Sequence, residues 1–374
     1  MEKPIRVLQF GAGNFGRGGQ STIVLNFGMN TDNKKIIFDY VVNIISDEKY
    51  IDIIGEKGGK VYLLNSKKRN FYNKVKDIFS MNRIISKNNY KIIHINTDNA
   101  FIAFIIGILG KINKVSKIII HSHSTGTNQN KIKILFHNIS KFFLPFIGDE
   151  FLACSNPAGE WLYPKKYLDK VKTINNGIDI EKYKFNLEKR KQLRKEMNLE
   201  NKFILGHIGR FSDVKNHKFL IEIFNEVQQI EKESILLLIG NGELEQKIKE
   251  QVKKLDLKDK VIFLGTTNKV EDYLQIMDIF IFPSKFEGLG LVVIEAQAAA
   301  LKVIASDRIP KEAKLTDYLK FLSLEELPQK WAEEILKYRR GYKRIDTRKE
   351  VEKAGYSIKL SAKELEKIYL GNTR

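Results

Sequence analysis

Residues 5–27, "IRVLQFGAGNFGRGGQSTIVLNF", decide how the rest of the chain is read. Ile5 to Phe10 read as a strand, and five glycines follow between positions 11 and 19. "STIVLNF" then supplies the apolar face of a helix. A strand that passes through a glycine loop into a helix opens a parallel α/β layer, because parallel strands need a crossover and a helix is the usual one. Gly11, Gly13 and Gly16 also satisfy G-x-G-x-x-G, the spacing by which many such layers hold a dinucleotide pyrophosphate. The context speaks against that ligand. Glycines recur at 16, 18 and 19, in what would be the first helical turns, each costing about 1 kcal/mol against alanine. The helix is therefore expected to start at Gln20 or Ser21. An acid for the ribose should close the second strand, but Asp39 lies inside that strand and Asp47 is too distant. The loop offers exposed amides to a ligand other than a nicotinamide dinucleotide.

Working outward, the same alternation continues. Strands are expected at 36–45, 61–64, 91–95, 117–121 and 150–154. A second series is expected at 202–209, 234–240, 260–265, 279–284 and 302–306. Between the two lies a turn and a charge-dense stretch, 175–200, read as a linker. The fold class is α/β, with two Rossmann-like parallel-sheet domains over 1–174 and 201–350. At 374 residues the chain is too long for one hydrophobic core, which agrees with two.

Composition narrows the class further. With 43% hydrophobic and 29% charged residues the chain is globular. Its longest apolar run, "FIAFIIGILG" at 101–110, is about half of what spans a bilayer and is read as a buried helix. "MEKPIRVLQF" lacks a signal-peptide layout, and one cysteine, Cys154, excludes an internal disulfide, so a cytoplasmic location is expected. No histidine and cysteine cluster has metal-ligand spacing, and no metal or cofactor is expected. The formal charge of +19 is uneven: residues 1–174 hold 26 Lys and Arg against 13 Asp and Glu, the remainder 38 against 32. A basic first half suits an anionic membrane surface or polyanionic substrate, or is dispersed solubilising lysine. Nucleic acid is disfavoured, because no basic block interleaved with aromatics occurs.

Three stretches carry chemistry. In "FPSKFEGLGLVVIEAQAAA" (282–300), Glu287 and Glu295 flank seven residues, and a Gly-Leu-Gly turn feeds a helix. Such a turn leaves the amides of Gly288, Leu289, Gly290 and Leu291 open to a phosphate, with Glu287 before the helix and Glu295 one turn inside. In "GHIGRFSDVKNH" (206–217), Arg210 and Lys215 lie between a strand and a helix, where α/β layers bind ligands, and suit a diphosphate. In "IIIHSHSTGTN" (118–128), His121 and His123 follow a strand; two residues apart they could be structural, ligating or catalytic.

Together these stretches resemble family 4 of the retaining glycosyltransferases, of the two-Rossmann GT-B type, and especially its capsular and exopolysaccharide branch. The resemblance is carried by "RGGQSTIVLN" (17–26), "HSHST" (121–125), "ACSNPAGEWLY" (153–163), "NNGID" (175–179) and "GHIGRFSDVKNHKFLIEIF" (206–224). "LLLIGNGEL" (236–244), the run 261–298 and "WAEEIL" (331–336) complete it. It implies a nucleotide-sugar held mainly by the second domain, with acceptor on the first. Arg210 and Lys215 would bind the diphosphate, Glu287 the donor sugar and Glu295 the ribose. Gly18 and Gly19 would lie against the diphosphate from the first domain, and the base would sit near Thr266 and Thr267. His123 matches the histidine that contacts the donor sugar better than His121 does. A final helix within 351–374 would cross back to the first domain.

The implied activity is a metal-independent, retaining transfer of a hexose-type sugar from a nucleoside diphosphate donor, UDP favoured, to a hydroxyl of a lipid-linked glycan. The nucleotide-sugar is a substrate, no cofactor is expected, and contact with the anionic inner membrane face is an expectation. The alternative is a catalytically silent GT-B subunit that binds nucleotide-sugar or stabilises a partner transferase. Three positions depart from the usual pattern: Gln20-Ser21 for Ala-Glu, "ALKV" at 300–303 for Gly-x-Pro, and Asn175 for proline.

Overall fold

The computed structural model describes residues 3–16, 18–64, 71–124, 126 and 131–371. Arg17 and Thr125, which begin and end two of the stretches quoted above, lie outside the described residues. The chain forms two compact units, one of residues 1–178 with 355–374 and one of residues 179–354.

The first unit contains β1 (Ile5–Phe10), β2 (Asn14–Phe15), β3 (Ile36–Val42), β4 (Ile44–Ile45), β5 (Val61–Leu63), β6 (Ile92–Asn96), β7 (Lys117–Ser122), β8 (Glu150–Ala153) and β9 (Val171–Thr173). Seven of these pair in parallel in the order β5-β3-β1-β6-β7-β8-β9. Strand order reverses between β1 and β6, the doubly wound arrangement whose crevice opens at the carboxyl ends of those strands. The β-branched runs form strands because both faces are covered: Ile93, Ile95 and Ile118 to Ile120 are fully buried. The expected strand 36–45 breaks at Asn43, and β4 leaves the sheet to pair with β2 inside the glycine loop. Asp39 sits fully buried in β3, held by Arg6 Nη2 (2.6 Å), Arg6 Nε (2.9 Å), the Tyr90 hydroxyl (2.6 Å) and the Lys60 amide (2.7 Å). It is a structural acid with no valence left for a ribose. Helix Ala100–Ile112 buries Ala103, Ile106 and Leu109 but leaves Phe101, Ile102 and Ile112 exposed, which corrects the expectation of a buried helix.

The second unit contains β10 (Phe203–Ile208), β11 (Ser234–Ile239), β12 (Val261–Phe263), β13 (Ile279–Phe282), β14 (Lys302–Ser306) and β15 (Leu319–Leu322), all parallel in the order β12-β11-β10-β13-β14-β15. The reversal falls between β10 and β13. Its core packs Leu220, Phe224 and Trp331 against Leu236, Leu238 and Ile281.

Residues 175–200, read as a linker, are ordered parts of both units. Asn175 to Ile178 belong to the first, and helix Leu187–Glu196 belongs to the second. The helix is fixed because Arg190 and Arg194 both pair with Asp278, at 2.5 and 2.6 Å, and Arg194 also caps Ile276 O. Charge-dense helices usually stay solvated, and only the position of Asp278 next to β13 makes these arginines an anchor. Helix Ile358–Leu370 packs in the first unit against helix Gly19–Asn30, while residues 351–354 stay with the second.

Candidate functional site

In the second unit the switch point is built from two loops that hold each other. The loop after β10 carries Arg210 and Lys215; the loop after β13 carries Glu287 to Gly290. Lys285 N–H donates to Val214 O (2.8 Å) and Asn216 Nδ2 to Pro283 O (3.1 Å), stitching one loop to the other. Lys215 Nζ then reaches Glu287 Oε1 at 2.6 Å, and lies 4.7 Å above the Phe282 ring. Both side chains are largely shielded, 21% and 12% exposed, so the pair is a stored cation and anion at the carboxyl end of the sheet. Glycine permits the close approach of the chain after β11 to the start of the Arg210 loop: a Cβ at Gly240 would fall 2.0 Å from Gly209 O. Arg210 is separate, mostly exposed and paired with Glu243 (3.0 Å).

Gly290, with φ of 79°, turns the chain into helix Leu291–Ala298. Among the described residues the amides of Gly288, Leu289, Gly290 and Leu291 donate to no group. Open N–H groups at a helix start favour an anion, and here they follow Glu287 directly. Glu295 lies inside the helix with Tyr183 as its hydrogen-bond donor. Burial pushes its carboxyl up to about 7 from 4.5, with the Glu271 charge adding and the Tyr183 bond opposing. Thr266 and Thr267 follow β12, two strands from β10; Thr267 Oγ1 accepts from Lys269 N–H (3.0 Å). Beneath the Arg210 loop, His207 donates through Nδ1 to Ile281 O (2.8 Å), and His217 stacks on Phe211 at 4.2 Å with neither ring nitrogen partnered among the described residues.

In the first unit, the helix after the glycine loop begins at Gly19, one residue before the expected start. Gly18, at φ 90°, gives its carbonyl to the Thr22 amide (3.0 Å). A Cβ at Gly11 would sit 1.8 Å from Asn96 O, so the loop runs directly over the end of β6. Gln20, one of the departures, has a local purpose: its Nε2 donates to Gly11 O (2.8 Å) and Asn96 O (2.9 Å).

His123 follows β7 and is only 8% exposed. Asn96 donates to Gln9 Oε1 (2.9 Å) and Phe10 O (3.0 Å), leaving Asn96 Oδ1 to accept from His123 Nε2 at 2.9 Å. His123 Nδ1 lies 2.9 Å from Asn176 Oδ1. Burial pushes this imidazole down to about 4, against an opposing bond from Asn176. That opposition holds while Nδ1–H donates to Asn176 Oδ1. A neutral ring that donates through Nε2 to Asn96 keeps both contacts only if the Asn176 amide turns its NH2 toward Nδ1, and the bond then favours the neutral form. His121 is fully buried behind it, ring centroids 4.0 Å apart, and takes a bond from His94 Nε2 (3.2 Å). His94 Nδ1 in turn accepts from the Tyr369 hydroxyl at 2.5 Å.

The structure thus brings Lys215, Glu287 and the 288–291 amides together, and places Glu295 one turn behind them. Gln9, His94, Asn96, Asn176 and Tyr369 escaped the sequence reading. Asn176 was within reach, since it belongs to the quoted "NNGID". Tyr369 was not, being 246 positions from His123 on an amphipathic helix where a tyrosine reads as core.

The family model for glycosyl transferases group 1 matches residues 188–357, and the one for glycosyltransferase family 4 matches residues 17–182. A capsular polysaccharide biosynthesis glycosyltransferase of Staphylococcus aureus, CapH, is 27% identical over 86% of this chain and 87% of its own. An Escherichia coli enzyme named UDP-Gal:alpha-D-GlcNAc-diphosphoundecaprenol alpha-1,3-galactosyltransferase is 25% identical over 62% of each. Among solved structures, Anabaena HepE in complex with UDP and glucose superposes with a TM-score of 0.72 at 16% identity, over 97% of this chain and 95% of that one. With two doubly wound sheets and matching models over nearly its whole length, the chain belongs to the family 4 glycosyltransferases of GT-B type.

Proposed function

We propose that this glycosyltransferase moves a hexose-type sugar from a nucleoside diphosphate donor, UDP favoured, to a hydroxyl of a lipid-linked glycan in polysaccharide biosynthesis. The carrying observation is the Lys215–Glu287 pair beside four open amides at the switch point of the second sheet. A sugar nucleotide has a diphosphate for the cation and amides, and sugar hydroxyls for the carboxylate. UDP and a diphosphate-linked lipid acceptor stand in the name of the Escherichia coli relative, and UDP accompanies HepE.

In this reading the bond from the anomeric carbon to the β-phosphate oxygen breaks with its electron pair going to that oxygen. The acceptor hydroxyl oxygen bonds to the anomeric carbon on the same face, and its proton passes to the leaving phosphate, so configuration is retained. Lys215, Arg210 and the amides of Gly288 to Leu291 stabilise the departing charge, the task a metal performs elsewhere. Glu287 accepts from donor-sugar hydroxyls and Glu295 from the ribose. Gly18 and Gly19 approach the diphosphate, and the base rests near Thr266 and Thr267. His123, kept neutral, exchanges its Asn176 bond for one to the donor sugar. The test is a panel of UDP- and GDP-hexoses with a polyprenyl-diphosphate glycan, reading nucleoside diphosphate release and the anomeric configuration of the product by NMR. Release that is acceptor-dependent and gives the donor's own anomer supports the scheme; an inverted product removes it.

A further inference from the structure

Helix Lys131–Phe143 has its polarity reversed for a helix on a protein surface. The side it turns to the protein is polar. His137 Nδ1 accepts from the Ala100 amide (3.2 Å) and its Nε2 donates to Trp161 O (3.1 Å). Ser140 is buried, and Lys141 Nζ donates to Glu160 O (2.6 Å) and Trp161 O (2.9 Å). The outward side carries Ile132, Leu135, Phe136, Ile139, Phe142 and Phe143, and Phe146 extends the row in the next turn. These positions recur at the three- and four-residue spacing of an amphipathic helix. Phe136, Phe142 and Phe146 are 50%, 54% and 66% exposed.

The row is continuous with helix Ala100–Ile112 through exposed Phe101 and half-buried Phe104. Phe101 lies 5.6 Å from Phe136, Phe104 5.9 Å from Phe143, and Phe142 6.3 Å from Phe146, ring centre to ring centre. A contiguous apolar surface of this kind needs a partner, since water disfavours it. Charge says which one. Neither helix contains an Asp or Glu. Lys131 and Lys133 are exposed on the helix, and Lys166 Nζ stands 5.7 Å from the Phe142 ring centre beside exposed Lys165 and Lys170. Protein interfaces are depleted in lysine at their cores, whereas lysines around an aromatic stripe suit lipid phosphates above an acyl boundary.

We propose that the Lys131–Phe146 segment, with Phe101 and Ile102, is an interfacial docking surface for an anionic bilayer. The aromatic and aliphatic row enters the headgroup–acyl boundary in the plane of the membrane while the lysines meet lipid phosphates. This goes beyond the donor chemistry and is read without it.

The experiment is flotation of the full chain with phosphatidylglycerol–phosphatidylethanolamine vesicles, against phosphatidylcholine vesicles, at low and high salt. The wild type should float with anionic vesicles, and less so in high salt or with phosphatidylcholine. Phe136→Glu with Ile139→Glu should lower vesicle partitioning by about tenfold or more. Lys131→Glu should lower it by about fivefold on anionic vesicles only. Wild-type melting temperature and UDP affinity in these variants establish that the fold is intact. A wild type that stays unbound to anionic vesicles, or variants that float as it does, overturn the proposal. So does a dimer that Phe136→Glu dissociates while vesicle binding is nil. Loss of UDP binding in the wild type would count against the proposed activity instead.

Discussion

Consider Lys215→Met. The substitution keeps an apolar stem against Phe282 but deletes the cation 2.6 Å from Glu287. A carboxylate only 12% exposed is then left without its partner. Removing one member of a fully buried pair costs about 3–5 kcal/mol; Glu287 keeps some access to water, so about 2 kcal/mol of stability is expected to go. Donor binding loses one charge-assisted hydrogen bond, about 1.5–3 kcal/mol, or about 10- to 150-fold in UDP affinity. If the cation also supports charge growing on the leaving phosphate, turnover falls by about 10²–10³. The two effects separate in the double variant. Glu287→Gln removes the stranded charge and should restore the melting point of Lys215→Met without restoring UDP affinity. Calorimetric titration of UDP and urea melts of the four proteins make the cycle. UDP affinity in Lys215→Met within twofold of wild type, with the protein folded, would refute the placement of Lys215 at the phosphate.

Three further outcomes follow from the same geometry. Glu295 titrates at about 7 when folded and near 4.5 when unfolded, so between those values the folded chain keeps a proton the unfolded chain has lost. Its contribution is whole below about pH 4.5 and is lost as pH rises to about 7, up to about 3 kcal/mol, and Glu295→Gln should flatten that fall in chemical-denaturation curves. Buried His94 and His123, pushed down to about 3 and about 4, act with the opposite sign. Their contribution is lost as pH falls below about 6.5, so wild-type stability should drop in acid and His94→Gln should lessen the drop. Tyr369→Phe removes the donor to His94 Nδ1 and should cost about 1–2 kcal/mol in urea unfolding; an unchanged midpoint would show the 2.5 Å contact to be energetically idle.

The parallel architecture was legible because apolar β-branched runs alternate with helical periods, a signal set by the strand itself. Strand ends and the small pair β2 and β4 were not. Asn14–Phe15 and Ile44–Ile45 are two residues each, and their pairing depends on where a glycine loop happens to lie. The positions of Lys215, Glu287 and the following turn were readable, because they belong to two loops that each follow a strand at the switch point. Helix Leu187–Glu196 was missed because its burial depends on Asp278, more than 80 positions away. The buffering of His123 by Asn96 and Asn176 escaped for the same reason: hydrogen bonds across a sheet leave no local spacing. Helix Lys131–Phe143 was also unread, since an amphipathic period does not tell which face turns outward.

The most direct test incubates the wild type with UDP-hexoses and a polyprenyl-diphosphate glycan and follows the acceptor by mass spectrometry. One hexose should be added per UDP released, and excess UDP should suppress the reaction. A folded protein that neither binds a nucleoside diphosphate hexose nor extends the acceptor would contradict the account at its centre.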